Sequence, residues 1–313
     1  MPMRHRVILA LAIGIISALI CWLRLAEREQ LAADFTWPWR AAQLLLQGEN
    51  PYTAIQPSGE YPFQTYFYYP LPAALVALPF AGLPPYLAGA LFFGLSSGLL
   101  AFAVSKDGWS GLHIFLGAPY WVALAVAQWS PLMIAAALTP GMEALLVCKP
   151  NIGLPGFIYC PSWRGLAGMG TMLGLSLLVL PGWPLDWLQV TRTLEGHPPA
   201  VLLLPFGPLL LLAVLRWRTP KGRLLLSLSI LPQFLFFYDQ LLLWLIPDSL
   251  ARGLALSGLS WVAYLAWRLT GLDPQTGGIL TQPTQLILAL VYLPALAMVL
   301  WAQKKSPQTR QMS

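Results

Sequence analysis

Ala33-Asp34-Phe35-Thr36-Trp37-Pro38-Trp39-Arg40, then an apolar run to Gly48-Glu49-Asn50-Pro51-Tyr52, then Tyr66-Phe67-Tyr68-Tyr69-Pro70-Leu71-Pro72, is the stretch from which the architecture is read. It sets a carboxylate, a cation, tryptophans, tyrosines and an Asn-Pro turn between two apolar runs. Tryptophan and tyrosine favour the membrane-water interface. The pattern therefore describes a water-facing pocket at a bilayer surface.

The composition around it has the same meaning. Of 313 residues, 57% are hydrophobic and only 10% are charged, and the mean hydropathy is +0.64, outside the range of soluble domains. A crossing needs about 20 apolar residues, so the apolar segments predict a bundle of about ten to twelve transmembrane helices or half-helices. The expected fold is all-α and polytopic, a single integral membrane domain over residues 1–313, with a first outer loop at 27–67, a second at 181–199, and an interfacial helix in the first. No soluble basic face is available for a nucleic-acid partner. The three cysteines, Cys21, Cys148 and Cys160, have no ligand-like spacing, so neither a disulfide framework nor a metal cage is expected.

Arg4, His5 and Arg6 precede an apolar run at 7–25 that lacks a small-residue cleavage site, which predicts an uncleaved first span with a cytoplasmic N-terminus. Asp34 then lies outside the cell. Pro38 suits a first helical turn and Gly48 a C-terminal cap, predicting a short interfacial helix between them. A second span is expected at 68–82 and a third at 86–104, which puts Lys106-Asp107-Gly108 outside. From 112 to 163, repeated prolines interrupt the apolar run, as in broken helices that line a cavity. Arg216, Arg218, Lys221 and Arg223 form the densest cationic cluster and mark a cytoplasmic loop. Lys304, Lys305 and Arg310 put the C-terminus on the same side. Most acids, including Glu49, Glu60, Asp186, Glu195 and Asp239, then fall outside.

Asp34 is the candidate general base, since an ionised carboxylate at the outer surface can take a proton from an attacking hydroxyl. The bland alternatives are a helix cap or a partner for Arg40. Arg40, Lys149 and His197 are candidate phosphate contacts, because a departing phosphate needs positive charge or donors; the alternative is snorkelling to the surface for Lys149, and interfacial anchoring or loop capping for Arg40 and His197. Lys149 interrupts an apolar region, where a charge is costly unless used. Gln128 and Gln233 read as hydrogen-bonded links between helices, Asp239 as a solvated helix end, and Glu143 as a buried acid with no partner identifiable from sequence.

Asp34-Phe35, Ala41-Ala42, Leu46, Gly48, Asn50-Pro51-Tyr52, Tyr69-Pro70 and Pro79 together resemble the first outer loop and second helix of glycosyltransferase family 87, mannosyltransferase-like members of the GT-C superfamily. Gln128 with Ser130-Pro131, Lys149-Pro150 and Tyr238-Asp239 extend the likeness. The resemblance implies a cell-membrane enzyme that moves a hexosyl unit from a polyprenyl-phosphate donor to a glycan or lipid acceptor outside the cell. It further implies inversion, no obligatory metal or other cofactor, and Asp34 as base. Asn50, Tyr52 and Tyr69, with Arg40, Lys149 and His197, are the expected substrate contacts. Two features depart from the family: the chain is short, and Gln128 follows Ala127 where glycine is common. A transporter or flippase of a lipid-linked intermediate, and an inactive GT-C relative, are the alternative readings.

Overall fold

The structure, a computed structural model, describes residues 1–29, 31–57, 65–194, 197–269 and 283–301. Glu60, Glu195, Lys304, Lys305 and Arg310 lie outside the described residues. What is described is helical, with one isolated backbone bridge between Pro199 and Pro232.

The frame is a pair of long helices, α1 (Met3–Arg28) and α5 (Pro85–Val104). Both are long and apolar enough to cross a bilayer, and between helices surrounded by lipid close packing replaces the hydrophobic effect as the adhesive. The sequence supplies that contact: Ala10, Gly14 and Ala18 recur every fourth residue on α1, and Gly94 and Gly98 do so on α5. A β-carbon added at Gly94 would stand 2.6 Å from the Ala18 Cβ, and one at Gly98 would stand 2.9 Å from the Ala10 carbonyl oxygen. The two backbones thus meet directly. Elsewhere α1 presents Leu11, Ile15 and Leu19 outward, each more than half exposed, as suits contact with lipid chains.

The pair is antiparallel. Arg6 donates to the Phe102 carbonyl at 2.7 Å and its guanidinium lies 4.0 Å over the Phe102 ring. At the other end Gly89 faces Leu25 and Ala32. Residue 106 therefore shares an end with the N-terminus, and the Met1 amino group reaches the Lys106 carbonyl. This corrects the expectation that residues 106–108 lie opposite the N-terminus. The cause is the segment at 68–82, which turns back beside helix α2 (Thr36–Leu46) without running the length of α1. It folds as α4 (Leu71–Ala77) plus one 3-10 turn, Leu78–Phe80, ten residues that span about 17 Å. Its far end is tied back to α2, where Trp39 donates to the Phe80 carbonyl at 3.1 Å and Gln43 to that of Ala81 at 2.9 Å. The interfacial helix expected after Pro38 is α2 itself. A single turn, α3 (Pro51–Ala54), follows it.

Prolines break the middle of the chain as expected. Helices α6 (Ala118–Ala125) and α7 (Ser130–Leu138) meet at a 120° bend, and after α8 (Pro150–Tyr159) the pair α9 (Trp163–Val179) and α10 (Trp183–Thr191) meet at 100°. Among the described residues, two helices, α1 and α5, are long and apolar enough to cross a bilayer, or four if each bent pair counts as one span. Later elements are α11 (Pro220–Ile230), a 3-10 segment Phe237–Leu245 and α12 (Leu250–Leu269). Two short helices, α13 (Thr284–Ile287) and α14 (Leu293–Leu300), are joined by a π turn.

The core beside the frame is aromatic. Phe35 stacks on Phe92 of α5 at 4.0 Å between centroids, and Trp129 lies 4.8 Å from Phe92. Buried aromatics of this size dominate local packing energy. Phe35 thus pins the backbone of its neighbour, Asp34.

If the α1–α5 seam is as close as described, Gly94→Leu should lower stability by about 1–3 kcal/mol, read as a drop in thermal midpoint in detergent. Leu95→Ala, on the exposed face, should leave it nearly unchanged. Equal midpoints for the parent and Gly94→Leu would contradict direct backbone contact.

Candidate functional site

Five segments distant in sequence converge on one cavity of about 650 Å³, lined by Asp34, Tyr69, Lys149, His197, Tyr238 and Asp239 among others. Asp34 reaches it from a short 3-10 turn, Ala33–Phe35, entered through left-handed backbone at Leu31 and Ala33, φ 52° and 47°. Its amide donates to the Val126 carbonyl at 3.0 Å, and Phe35 anchors the turn in the core.

The α6–α7 break supplies the next group. Ala127 there is left-handed at φ 48° and fully buried, a conformation that costs a residue with a β-carbon about 1 kcal/mol or more. The turn swings Gln128 off the helix axis, and its amide Nε2 donates to an Asp34 carboxylate oxygen. Its Oε1 accepts from the Trp129 amide at 2.8 Å and from Lys149 Nζ at 2.7 Å.

Lys149 precedes Pro150, and the residue before a proline is kept out of the helical region; its φ and ψ are −142° and 81°. That extended residue projects the ammonium across the cavity floor, where it pairs with Asp239 at 2.8 Å. The pair is nearly sealed, with side chains 12% and 2% exposed. Asn151 donates to the other Asp239 oxygen at 3.1 Å, and the Lys149 ammonium lies 5.4 Å from the Tyr238 ring. Ser130 of α7 donates to the Tyr238 carbonyl at 2.6 Å, fastening the segment that carries Asp239 to the helix that follows Gln128.

Asp34 is reached by solvent through the cavity yet enclosed by protein on its other sides. Burial pushes its carboxyl up to about 6. The Lys149 charge and the Gln128 hydrogen bond oppose that shift, while Asp239 adds to it. The Tyr69 phenol is pushed well above its ordinary value, first by burial and then by Asp34 and Asp239. It stays a hydrogen-bond donor at neutral pH.

Of the residues proposed from sequence, Asp34, Tyr69, Lys149 and His197 line this cavity. Asn50, Tyr52 and Arg40 are not among its described lining, and the first two have structural work. Asn50 caps α3 by accepting the Tyr52 amide at 3.0 Å and donates to Asp186 of α10 at 2.8 Å. Buried Tyr52 donates to the Tyr69 carbonyl at 3.0 Å, so it shapes the wall from behind. Arg40 donates to Gln43 at 3.3 Å. His197 joins the lining with its ring 5.4 Å from that of Phe234.

Two side chains prove more central than the sequence suggested. Asp239 is not a solvated helix end but a buried counterion, 1% exposed. Gln128 joins Asp34 to Lys149 and does more than link helices. A signal for the first was present: a lone cation in one apolar run and a lone acid in another each demand a partner. Glu143 also gains partners, the Gly141 amide at 2.5 Å and the Ser162 hydroxyl at 3.2 Å. It lines a second cavity of about 750 Å³, whose wall also includes Lys106, His113 and Arg223. That cavity lies at the N-terminal end of α1, since Lys106 is there, whereas Asp34 follows the other end of α1.

No protein-family model, curated protein or solved structure matches this chain.

The Asp34 environment has a signed consequence. A carboxyl raised in the folded state holds its proton longer than the unfolded chain does, so its contribution to stability is present at low pH and lost as pH rises to about 6. Asp34→Asn should therefore compare more favourably with the parent at pH 8 than at pH 5 in thermal unfolding. In the infrared, the protonated-carboxyl band removed by Asp34→Asn should fade around pH 6. Fading near the ordinary carboxylate value of about 4 would contradict the burial.

Proposed function

We propose that this protein is a membrane glycosyltransferase that moves a hexosyl, mannosyl-like unit from a polyprenyl-phosphate donor to a glycan or lipid acceptor at the extracytoplasmic face. The observation that carries the reading is one cavity lined by the Asp34 carboxylate, the Lys149 ammonium and the His197 imidazole. In this reading both termini are cytoplasmic, and many of the ten to twelve crossings inferred from composition are half-length, gathered about the two cavities.

The chemistry needs few groups. The acceptor oxygen attacks the anomeric carbon from the face opposite the phosphate and loses its proton to Asp34. The bond from the anomeric carbon to the phosphate oxygen breaks, and its electron pair leaves on the lipid phosphate. Inversion follows from a single displacement. A carboxyl lifted to about 6 is still largely ionised at neutral pH and is a stronger base than an ordinary one. Lysine carries three N–H donors; among described partners Gln128 and Asp239 take two, which leaves one for a phosphate oxygen. His197 supplies a further contact. The charge that develops on the leaving group is met by these side chains, so the proposed reaction is metal-independent. The apolar Leu154, Leu194 and Leu231 on the same wall suit the first isoprene units of a lipid carrier.

The cavity at the opposite end, with Glu143 and His113 in its wall, favours a second reading, transport of a lipid-linked intermediate between the two faces. Transport predicts that a sealed vesicle containing the protein moves the labelled lipid across the bilayer without breaking its sugar-phosphate bond.

For the transferase, Asp34→Asn assayed in membranes with polyprenyl-phosphate hexose should lower kcat by about 10²–10⁴-fold with little change in KM. Parent activity should rise with pH through about 6. Retention of activity within a few-fold would remove Asp34 from the base role.

A further inference from the structure

Gln128 has one sustainable orientation. Its Oε1 faces two donors, the Trp129 amide and the Lys149 ammonium, and its Nε2 faces the Asp34 carboxylate. Turning the amide over would set its NH2 against both donors and its carbonyl oxygen against the carboxylate, and Gln128 is fully buried, so no water could relieve the clash. Lys149 therefore aims Gln128, and Gln128 aims Asp34.

The same arrangement carries a hazard. The ammonium lies a single amide away from Asp34, and a direct ion pair between them would occupy the carboxylate and weaken it as a base. What holds the ammonium back is Asp239, which takes it at 2.8 Å and is itself fixed by Asn151 at 3.1 Å.

Resting on the reading of Asp34 as general base, we propose that Asp239 and Gln128 are positioning residues. Asp239 keeps Lys149 from pairing directly with Asp34, and Gln128 passes on the aim of Lys149 without its full charge. Neither touches the substrate in this scheme: Gln128 acts through Asp34, and Asp239 through Lys149. The other ionisable groups facing Asp34 are the phenols of Tyr69 and Tyr238. His197 lines the same cavity, and Cys21 packs beneath the turn at Ala127.

The test uses the full chain in lipid nanodiscs, with two readouts: the infrared titration of the Asp34 carboxyl, and kcat and KM for sugar transfer. Asp239→Asn frees Lys149 to pair with Asp34, and the titration should move to lower pH by about one unit or more. Gln128→Leu removes a donor to the carboxylate, and the titration should move to higher pH. Opposite signs from two substitutions on one chain of contacts are not a signature of simple damage. Both variants should lower kcat about ten- to a hundred-fold with KM within a few-fold of the parent.

Because Asp239→Asn leaves a buried cation unpaired, Asn151→Ala serves beside it. It keeps the ion pair but loosens Asp239, and should give a smaller shift toward low pH. Shifts of the same sign in the Gln128 and Asn151 variants, or no shift in either, would overturn the proposal. If the parent transfers no sugar from any polyprenyl-phosphate donor, the transferase reading fails, and the titrations alone still decide the positioning.

Discussion

The buried pair between Lys149 and Asp239 is the constraint on which the site depends. Two charges taken out of water repay their desolvation only when geometry is good and the remaining donors and acceptors are satisfied, and here each partner has further hydrogen bonds: Lys149 to Gln128, Asp239 to Asn151. Those bonds reach α8, the α6–α7 break and the segment Phe237–Leu245. One ion pair thereby fixes the relative placement of three chain segments that are apolar over most of their length and would otherwise have little reason to adopt one register. Removing either charge leaves the other stranded, so the pair stabilises a single arrangement of the site more than it stabilises the fold as a whole.

Around that pair the structure divides its labour. The α1–α5 seam, made of small residues, gives a closely packed post. The aromatic cluster of Phe35, Phe92 and Trp129 sets both the Asp34 turn and the Gln128 turn against that post. Strain is spent at the same place, since Leu31, Ala33 and Ala127 all adopt left-handed backbone without being glycine. Non-glycine residues in that conformation persist only where surrounding contacts over-determine them, and they gather at functional sites. Two of them lie within three residues of Asp34 and the third directly precedes Gln128, the donor to its carboxylate.

Much of this was legible in the sequence, for definite reasons. The long apolar runs of α1 and α5 announce themselves by length, and Asp34, Tyr69, Lys149 and His197 stand out because polar side chains among apolar ones are costly. The fate of residues 68–82 was not legible. Composition alone cannot distinguish a crossing from a ten-residue segment tied back by Trp39 and Gln43, because the tie is made by backbone carbonyls that any sequence would offer. The placement of Asn50 and Tyr52 was hidden for a related reason: a polar residue that lines a site and one that braces its wall have the same composition, and only the bonds to Asp186 and to the Tyr69 carbonyl show the bracing. The link from Lys149 to Asp239 spans ninety positions and carries no spacing signal, although the demand of each buried charge for a counterion was there to be matched.

The most direct measurement is an experimental structure of the protein in lipid with a hydrolysis-resistant polyprenyl-phosphonate hexose bound. The account predicts the phosphonate oxygens within hydrogen-bonding distance of Lys149 or His197, the anomeric carbon turned toward Asp34, and the isoprene chain leaving past Leu154 and Leu231. A head group lodged instead in the cavity of Glu143 and Arg223, or an anomeric carbon too far from Asp34 for an acceptor hydroxyl to bridge them, would contradict it.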